Sequence, residues 1–334
     1  MTMPEDAARI DDVVRDVSGE TLAAARTMGA GAPVLAFDVG GTDIKSALFD
    51  ADGVALGLRR TPTPVADGDR TEVLIERLGV LAAELTADHP DVVPQAAGLV
   101  VPGIVDEAKG VAVWSSNVGF RDVPMRALLA ERLGMPAALG HDVRAGGMAE
   151  ARLGAGRGEP HVLFLAIGTG IAAAHVVDGR AFAGAHGAAG EVGHVIVRPG
   201  GPPCLCGSRG CLEAVASASA VGRRYAELSG IADAAAFDVA ARAAAGEPLA
   251  TAVWTEAVEA LADGLLTAQA LYDAGIVVLG GGLAEAGEAL LVPLRTALDQ
   301  RITFHRIPRL VRAQLGDTAG CLGAALLALD LEAR

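Results

Sequence analysis

Basic residues are scarce in this 334-residue chain: 27 Lys and Arg stand against 41 Asp and Glu, a formal net charge of −14. That balance repels nucleic-acid phosphates and anionic lipid surfaces, which argues against a nucleic-acid or membrane-surface partner. Aromatics are also few, at 3%. The 43 glycines and a hydrophobic content of 51% describe a folded chain with many tight turns, and exclude a disordered or collagen-like one. No apolar run reaches the roughly 20 residues of a membrane span. The charge-free stretch from Val162 to Val177 is shorter and holds Gly168, Thr169, Gly170 and His175. The N-terminal stretch is acidic from Glu5 onward, without a basic start or an apolar core, so it is no secretory signal and the chain is expected to be cytoplasmic. Cysteines number only four. Three of them, Cys204, Cys206 and Cys211, crowd into CLCGSRGC, which in a reducing compartment reads as a metal site before it reads as disulfides.

The length exceeds what one hydrophobic core usually serves and predicts two lobes. Regular structure opens with a buried strand over Val34–Val39, the turn Gly40-Gly41-Thr42 and a second strand over Ile44–Phe49. A helix is predicted from about Thr71 to Asp88, followed by the strand AAGLVV, so the first lobe is α/β. The order recurs: a strand His161–Ile167, the turn Gly168-Thr169-Gly170, a strand Ile171–Val177 and an Asp-Gly turn. A long helical region from about Ser217 to Tyr272 leads to the strand Ile276–Leu279 and then to Gly280-Gly281-Gly282. The architecture reads as internally duplicated.

Glycines beside a Thr hydroxyl let backbone N–H groups approach an anion, so both Gly/Thr turns have the composition of phosphate-binding turns, although no Walker loop occurs. Two such turns facing one another would clamp a nucleoside triphosphate. In this the sequence resembles the superfamily of actin, hexokinase and the seventy-kilodalton heat-shock chaperones, and the resemblance implies a two-lobed, duplicated, ribonuclease H-like α/β fold with a cleft between the lobes. A leader over 1–32, a small lobe over 33–117 with the helix 318–334 packed on it, and a large lobe over 118–317 carrying the cysteine loop are the expected divisions. His194 with Cys204, Cys206 and Cys211 offers one imidazole and three thiolates, a closed tetrahedral set for structural Zn²⁺.

The stretch GAAGEVGH…CLCGSRGCLE, with AFDVGGTDIK before it, GTGI in the middle and VVLGGG after it, closely resembles the signature of the ROK family of repressors, open reading frames and sugar kinases. The resemblance implies an ATP- and Mg²⁺-dependent kinase acting on the 6-hydroxyl of a hexose or N-acetylhexosamine, glucokinase first, assembled as a homodimer or homotetramer. It implies Asp142 as the base, in a segment where Asp142 otherwise reads as an N-cap of the following helix. It implies Gly103, Asn117, Asp142, Glu191, His194 and Glu213 around the sugar, with His194 also on zinc. For the nucleotide it implies Asp38 near Mg²⁺, with Gly40, Gly41, Thr42, Gly168, Thr169, Gly170, Gly280, Gly281 and Gly282 around phosphates and adenosine. Asp43 stands where the family often has Lys, and Lys45 is the nearest replacement cation. His141 and Arg144 replace the two Asn residues that flank the base in the family, which opens the way to an acidic or amino sugar. A non-catalytic sugar sensor or transcriptional regulator is the alternative, against which the short acidic leader argues. A chaperone-like ATPase does not explain the zinc signature.

Overall fold

The computed structural model describes residues 15–16, 31–64, 70–115 and 118–332. The first sheet is built on β1 (Arg15–Asp16), β2 (Val34–Val39), β3 (Asp43–Phe49), β4 (Ala55–Pro62) and β5 (Ala96–Val101). A small side sheet of β6 (Ile104–Asp106), β7 (Val111–Trp114) and β8 (Arg121–Val123) follows, and β9 (Ala137–His141) returns to the edge of the first, giving the order β1-β4-β3-β2-β5-β9. The second sheet holds β10 (His161–Ile167), β11 (Ile171–Val177), β12 (Arg180–Ala181), β13 (Ile276–Gly280) and β14 (Arg309–Arg312) in the order β12-β11-β10-β13-β14. In each sheet an antiparallel hairpin, β2–β3 or β10–β11, is extended by two parallel strands, β5 and β9 or β13 and β14. The duplication seen in the turn motifs is therefore a duplication of sheet topology.

Every residue of β2 is buried because the sheet is covered on both faces. Side chains alternate along a strand: Leu35, Phe37 and Val39 join the core that includes Leu74, Leu78, Leu81 and Leu85 of α1 (Arg70–Asp88). Val34 and Ala36 join the opposite core, where the covering helix runs over Ala319–Glu332 and supplies Leu322, Ala324, Ala325 and Ala328. That helix lies directly on backbone. A Cβ on Gly98 would fall 1.8 Å from the Ala324 carbonyl oxygen, and one on Gly320 would fall 2.4 Å from Asp38 Oδ2.

The first sheet runs past the expected boundary at residue 117. Strand β9 pairs in parallel with β5, and Met125 and Leu129 of α2 (Met125–Leu133) pack into the first lobe's core. The chain leaves this sheet at the junction of β9 and α3 (Asp142–Arg152). After α4 (Leu212–Ala216) the long helical region divides into α5 (Ala218–Ser229), α6 (Ala236–Ala244) and α7 (Pro248–Tyr272), followed later by α8 (Glu288–Asp299) and α9 (Ala319–Glu332). The breaks have local causes. Ser217 is extended and caps α5, Gly230 ends α5 in the left-handed conformation, and Pro248 opens α7 where a missing N–H is harmless. Among the described residues no helix is long and apolar enough to cross a membrane.

Candidate active site

Two aligned elements place Asp142. Strand β9 ends at His141, whose backbone stays extended (φ −85°, ψ 135°) and whose Nδ1 accepts the Arg144 N–H at 3.4 Å. His141, not Asp142, is therefore the N-cap of α3, and Asp142 is the first helical residue, its Oδ1 accepting the Val143 N–H at 2.7 Å. Burial pushes the Asp142 carboxyl above the usual carboxylate range, opposed by that N–H and by the charges of Arg144 and Lys45. Burial, then Arg144, drives His141 down to about 3, so its imidazole is neutral near pH 7.

Asp142 opens onto a cavity of about 590 Å3 whose lining includes Asp38, Gly40, Lys45, Gly280, Gly281 and Gly282. Asp38 and Lys45 face each other because they are register partners across the β2–β3 hairpin. Lys45 Nζ lies 3.3 Å from Asp38 Oδ2 and 2.8 Å from Asp317 Oδ1. Arg60, the register partner of Lys45 on β4, bridges to Asp43 at 3.2 Å and also to Asp317. The Asp in the expected Lys position is thus paired with a neighbouring strand's Arg. Burial raises the Asp38 carboxyl, Lys45 opposes it, and the charge of Asp142 raises it further, so two carboxylates share one end of the cavity. Hard carboxylate oxygens of this kind fit Mg²⁺.

Gly41 and Thr42 lie at the exposed tip of their turn and do not line this cavity. Nor do Gly168, Thr169 and Gly170. The second turn is occupied by a side chain: Glu213 Oε2 accepts the Ile171 N–H at 2.9 Å and lies 2.4 Å from where a Cβ on Gly170 would sit. Thr169 and Glu213 line a separate cavity of about 720 Å3 beside Pro202, Pro203 and Cys204.

Glu191 sits just before a 3-10 turn at Val192–His194. Burial raises its carboxyl, the His194 ring opposes, and Glu213, Arg144 and Asp142 act on it as well, so these groups share one electrostatic neighbourhood. His194 points Nε2 at Glu191, 3.8 Å from Oε2, and Nδ1 at Cys204 Sγ, 3.6 Å away. Gly103 has φ +106° and packs against chain rather than beside open space: a Cβ would lie 2.2 Å from the Trp114 carbonyl oxygen. Asn117 lies outside the described residues.

The ligand atoms of His194, Cys204, Cys206 and Cys211 all lie within 4.8 Å of one another, and Cys206 Sγ is 3.6 Å from Cys211 Sγ. Tetrahedral zinc with three thiolates and one imidazole has ligand-to-ligand edges of about 3.5–3.8 Å, so the donor set and spacing fit that ion. Backbone hydrogen bonds turn the loop: the Cys204 N–H donates to the Ser208 carbonyl at 2.9 Å and the Gly207 N–H to the Cys204 carbonyl at 3.0 Å.

Several residues escape sequence reasoning. Asp317 reaches Lys45 from the loop before α9, and Glu107 and Arg144 form an ion pair at 2.8 Å behind the base. Glu150 is fully buried and accepts the Ala155 and Leu315 N–H groups at 2.9 and 2.7 Å. Asp317, Glu107 and Glu150 sit in no motif, and Arg144 stands in the segment of the base, where its partners are not readable. The only sequence signal is a charge inside an otherwise small and apolar helix, which Arg144 and Glu150 both give.

Comparison with known proteins adds to this geometry. A family model described as "ROK family" matches residues 34–331. A glucokinase from Thermotoga maritima is 35% identical over 313 residues, 87% of this chain and 96% of the relative. The crystal structure of a ROK hexokinase from Thermus thermophilus is 36% identical with a TM-score of 0.77, covering 90% of this chain and 100% of the other. That of a ROK family glucokinase from Streptomyces griseus in complex with glucose and AMPPNP is 28% identical with a TM-score of 0.75, covering 89% and 99%.

Proposed function

The chain belongs to the ROK family, and from that premise we propose that it is an ATP-dependent sugar kinase, transferring the γ-phosphoryl group to the 6-hydroxyl of a hexose, glucose before N-acetylhexosamines. The observation that carries this reading is the position of Asp142, which opens the helix after β9 and lines the cavity of Asp38, Lys45 and the Gly280–Gly282 turn.

Asp142 accepts the proton of the sugar hydroxyl as its oxygen attacks the γ-phosphorus, and its burial, by raising its pKa, makes it a stronger base than an exposed carboxylate. Glu191, Glu213 and His194 Nε2 orient the sugar through its other hydroxyls, with Asn117 and Gly103 as the further sugar positions of the family. Lys45 and the backbone of Gly40, Gly41 and Thr42 meet the phosphates, Gly168, Thr169 and Gly170 reach them when the lobes approach, and Gly280, Gly281 and Gly282 hold the adenosine. Asp38 would hold Mg²⁺, which when bound neutralises phosphate charge. His194, Cys204, Cys206 and Cys211 would hold a structural Zn²⁺ that fixes the wall carrying Glu213. Three carboxylates around the sugar favour a neutral or amino hexose over a hexuronic acid, since Arg144 is buried in contacts of its own. The enzyme so described is cytoplasmic, with a sugar and a nucleotide as partners, and works as a homodimer or homotetramer.

The test is ATP- and Mg²⁺-dependent phosphorylation across a panel of hexoses and N-acetylhexosamines, with D142N alongside. Turnover of glucose by the wild type and its loss in D142N is the expected result. A panel in which no sugar turns over, although one raises the melting temperature, replaces the kinase with a sugar-sensing regulator.

A further inference from the structure

Arg144 is 2% exposed, yet it is charged and stands two residues after the base. Its guanidinium ties α3 to two other segments, the β6 turn and the loop after β12. Nε donates to Glu107 Oε1 at 2.8 Å, Nη1 to the Gly187 carbonyl at 2.9 Å and Nη2 to the Val105 carbonyl at 3.4 Å. The same Glu107 oxygen accepts the His141 N–H at 3.3 Å, and the Arg144 N–H is held by His141 Nδ1, so the strand end, the helix start and the β6 turn form one closed network. Val105 belongs to the first lobe's core, whereas Gly187 belongs to the loop after β12 that leads to Glu191. The two backbones touch there. Gly187 has φ +73°, and a Cβ on it would lie 2.2 Å from the Val105 carbonyl oxygen.

We propose that Arg144 is a positioning residue that clamps the Glu191 loop to the helix bearing Asp142 and holds a fixed positive charge behind that base. The assignment rests on the kinase reading above. A fork of N–H groups in fixed geometry suits this work, because it grips two carbonyls and a carboxylate at once where a Lys offers a single point charge. The charge has a second effect. Asp142 faces Lys45 and Asp38 from the β2–β3 hairpin, Glu191 from the loop, and His141, which is neutral; Arg144 is the buried cation among them and pulls the Asp142 carboxyl down against its burial. Removing the cation lets that carboxyl rise, so the acid limb of the kcat profile moves to higher pH.

Three variants of the full-length enzyme separate the two effects: R144M loses fork and charge, R144K keeps the charge, and E107Q keeps Arg144 but loosens its anchor. We expect the KM for glucose to rise about ten-fold or more in all three, with the KM for ATP changed less than about two-fold, since a misplaced loop costs sugar binding first. The acid limb shifts upward in R144M and stays at or below its wild-type position in R144K and E107Q. Thermal melting of each variant reports folding. If R144M does not fold, the glucose KM of R144K and E107Q decides. An unchanged glucose KM in R144K and E107Q, or a wild-type acid limb in folded R144M, overturns the proposal. Should the wild type turn over no sugar, the kinase reading fails, and calorimetric binding of the sugar that raises its melting temperature still reads the clamp by comparing wild type with R144K.

Discussion

The two Gly/Thr turns look alike in sequence and occupy matching places in their sheets, yet their surroundings differ. The first sits on a hairpin whose register sets Asp38 against Lys45, and that pair faces a cavity with Asp142. The second is filled by the Glu213 carboxylate and opens toward the cysteine loop. Duplication preserved the backbone path, while on the function proposed above the side chains divide the labour: a nucleotide wall around Asp38 and Lys45, and a sugar wall of carboxylates beside the His/Cys cluster. Asp142 is the group both walls share.

That division is open to attack by variants that should each disturb one wall. The largest effect is expected from D142N, which belongs to both: kcat falls by about a thousand-fold or more in a coupled phosphorylation assay. Because burial disfavours the charged carboxylate, the folded state binds the proton more tightly than the unfolded one, and the neutral amide should melt at a higher temperature than the wild type at pH 7. A lower melting temperature would show that the carboxylate is stabilised by contacts and is not poised as a base. Next comes zinc. Chelating the zinc proposed at the His194, Cys204, Cys206 and Cys211 cluster, or substituting C206S, should raise the glucose KM by about ten-fold or more while the ATP KM stays within about two-fold, with metal content read by mass spectrometry. Equal losses on both sides would erase the distinction between the walls. K45M should do the reverse, raising the ATP KM by about ten-fold with little change for glucose. The smallest effect is in pH. As pH falls through the raised Asp142 value the base is protonated, so kcat should drop on an acid limb lying above the ordinary carboxylate pKa of about 4. The same limb should be absent from the residual activity of D142N.

Much of this plan is readable in the sequence, because apolar runs, glycine turns and the cysteine cluster are local signals. The strands flanking both turns follow from alternation and burial, and the metal set from four ligand types within one short segment. What sequence reading misses depends on pairing across the fold. Asp317 meets Lys45 only because the chain returns over the first sheet, and Glu107 meets Arg144 only because β6 lies against β9. Asp142 as a cap is overturned by its neighbour: a His with an extended backbone takes that place, which spacing alone does not distinguish. The helical region expected from about Ser217 to Tyr272 is helical, and its division into separate helices is set by one extended Ser, one left-handed Gly and one Pro.

The contact of Asp38 with Gly320 carries a consequence for the order in which the molecule is made. The face of the first sheet beneath Val34 and Ala36 is covered by a helix translated after the whole second lobe. During synthesis this face must wait, with its apolar side chains exposed or held by a chaperone, until residues near 320 leave the ribosome. Contacts of such sequence separation are slow to form. The second lobe should therefore acquire protection from hydrogen exchange first during refolding, and the cleft that binds nucleotide should be the last part of the protein to exist.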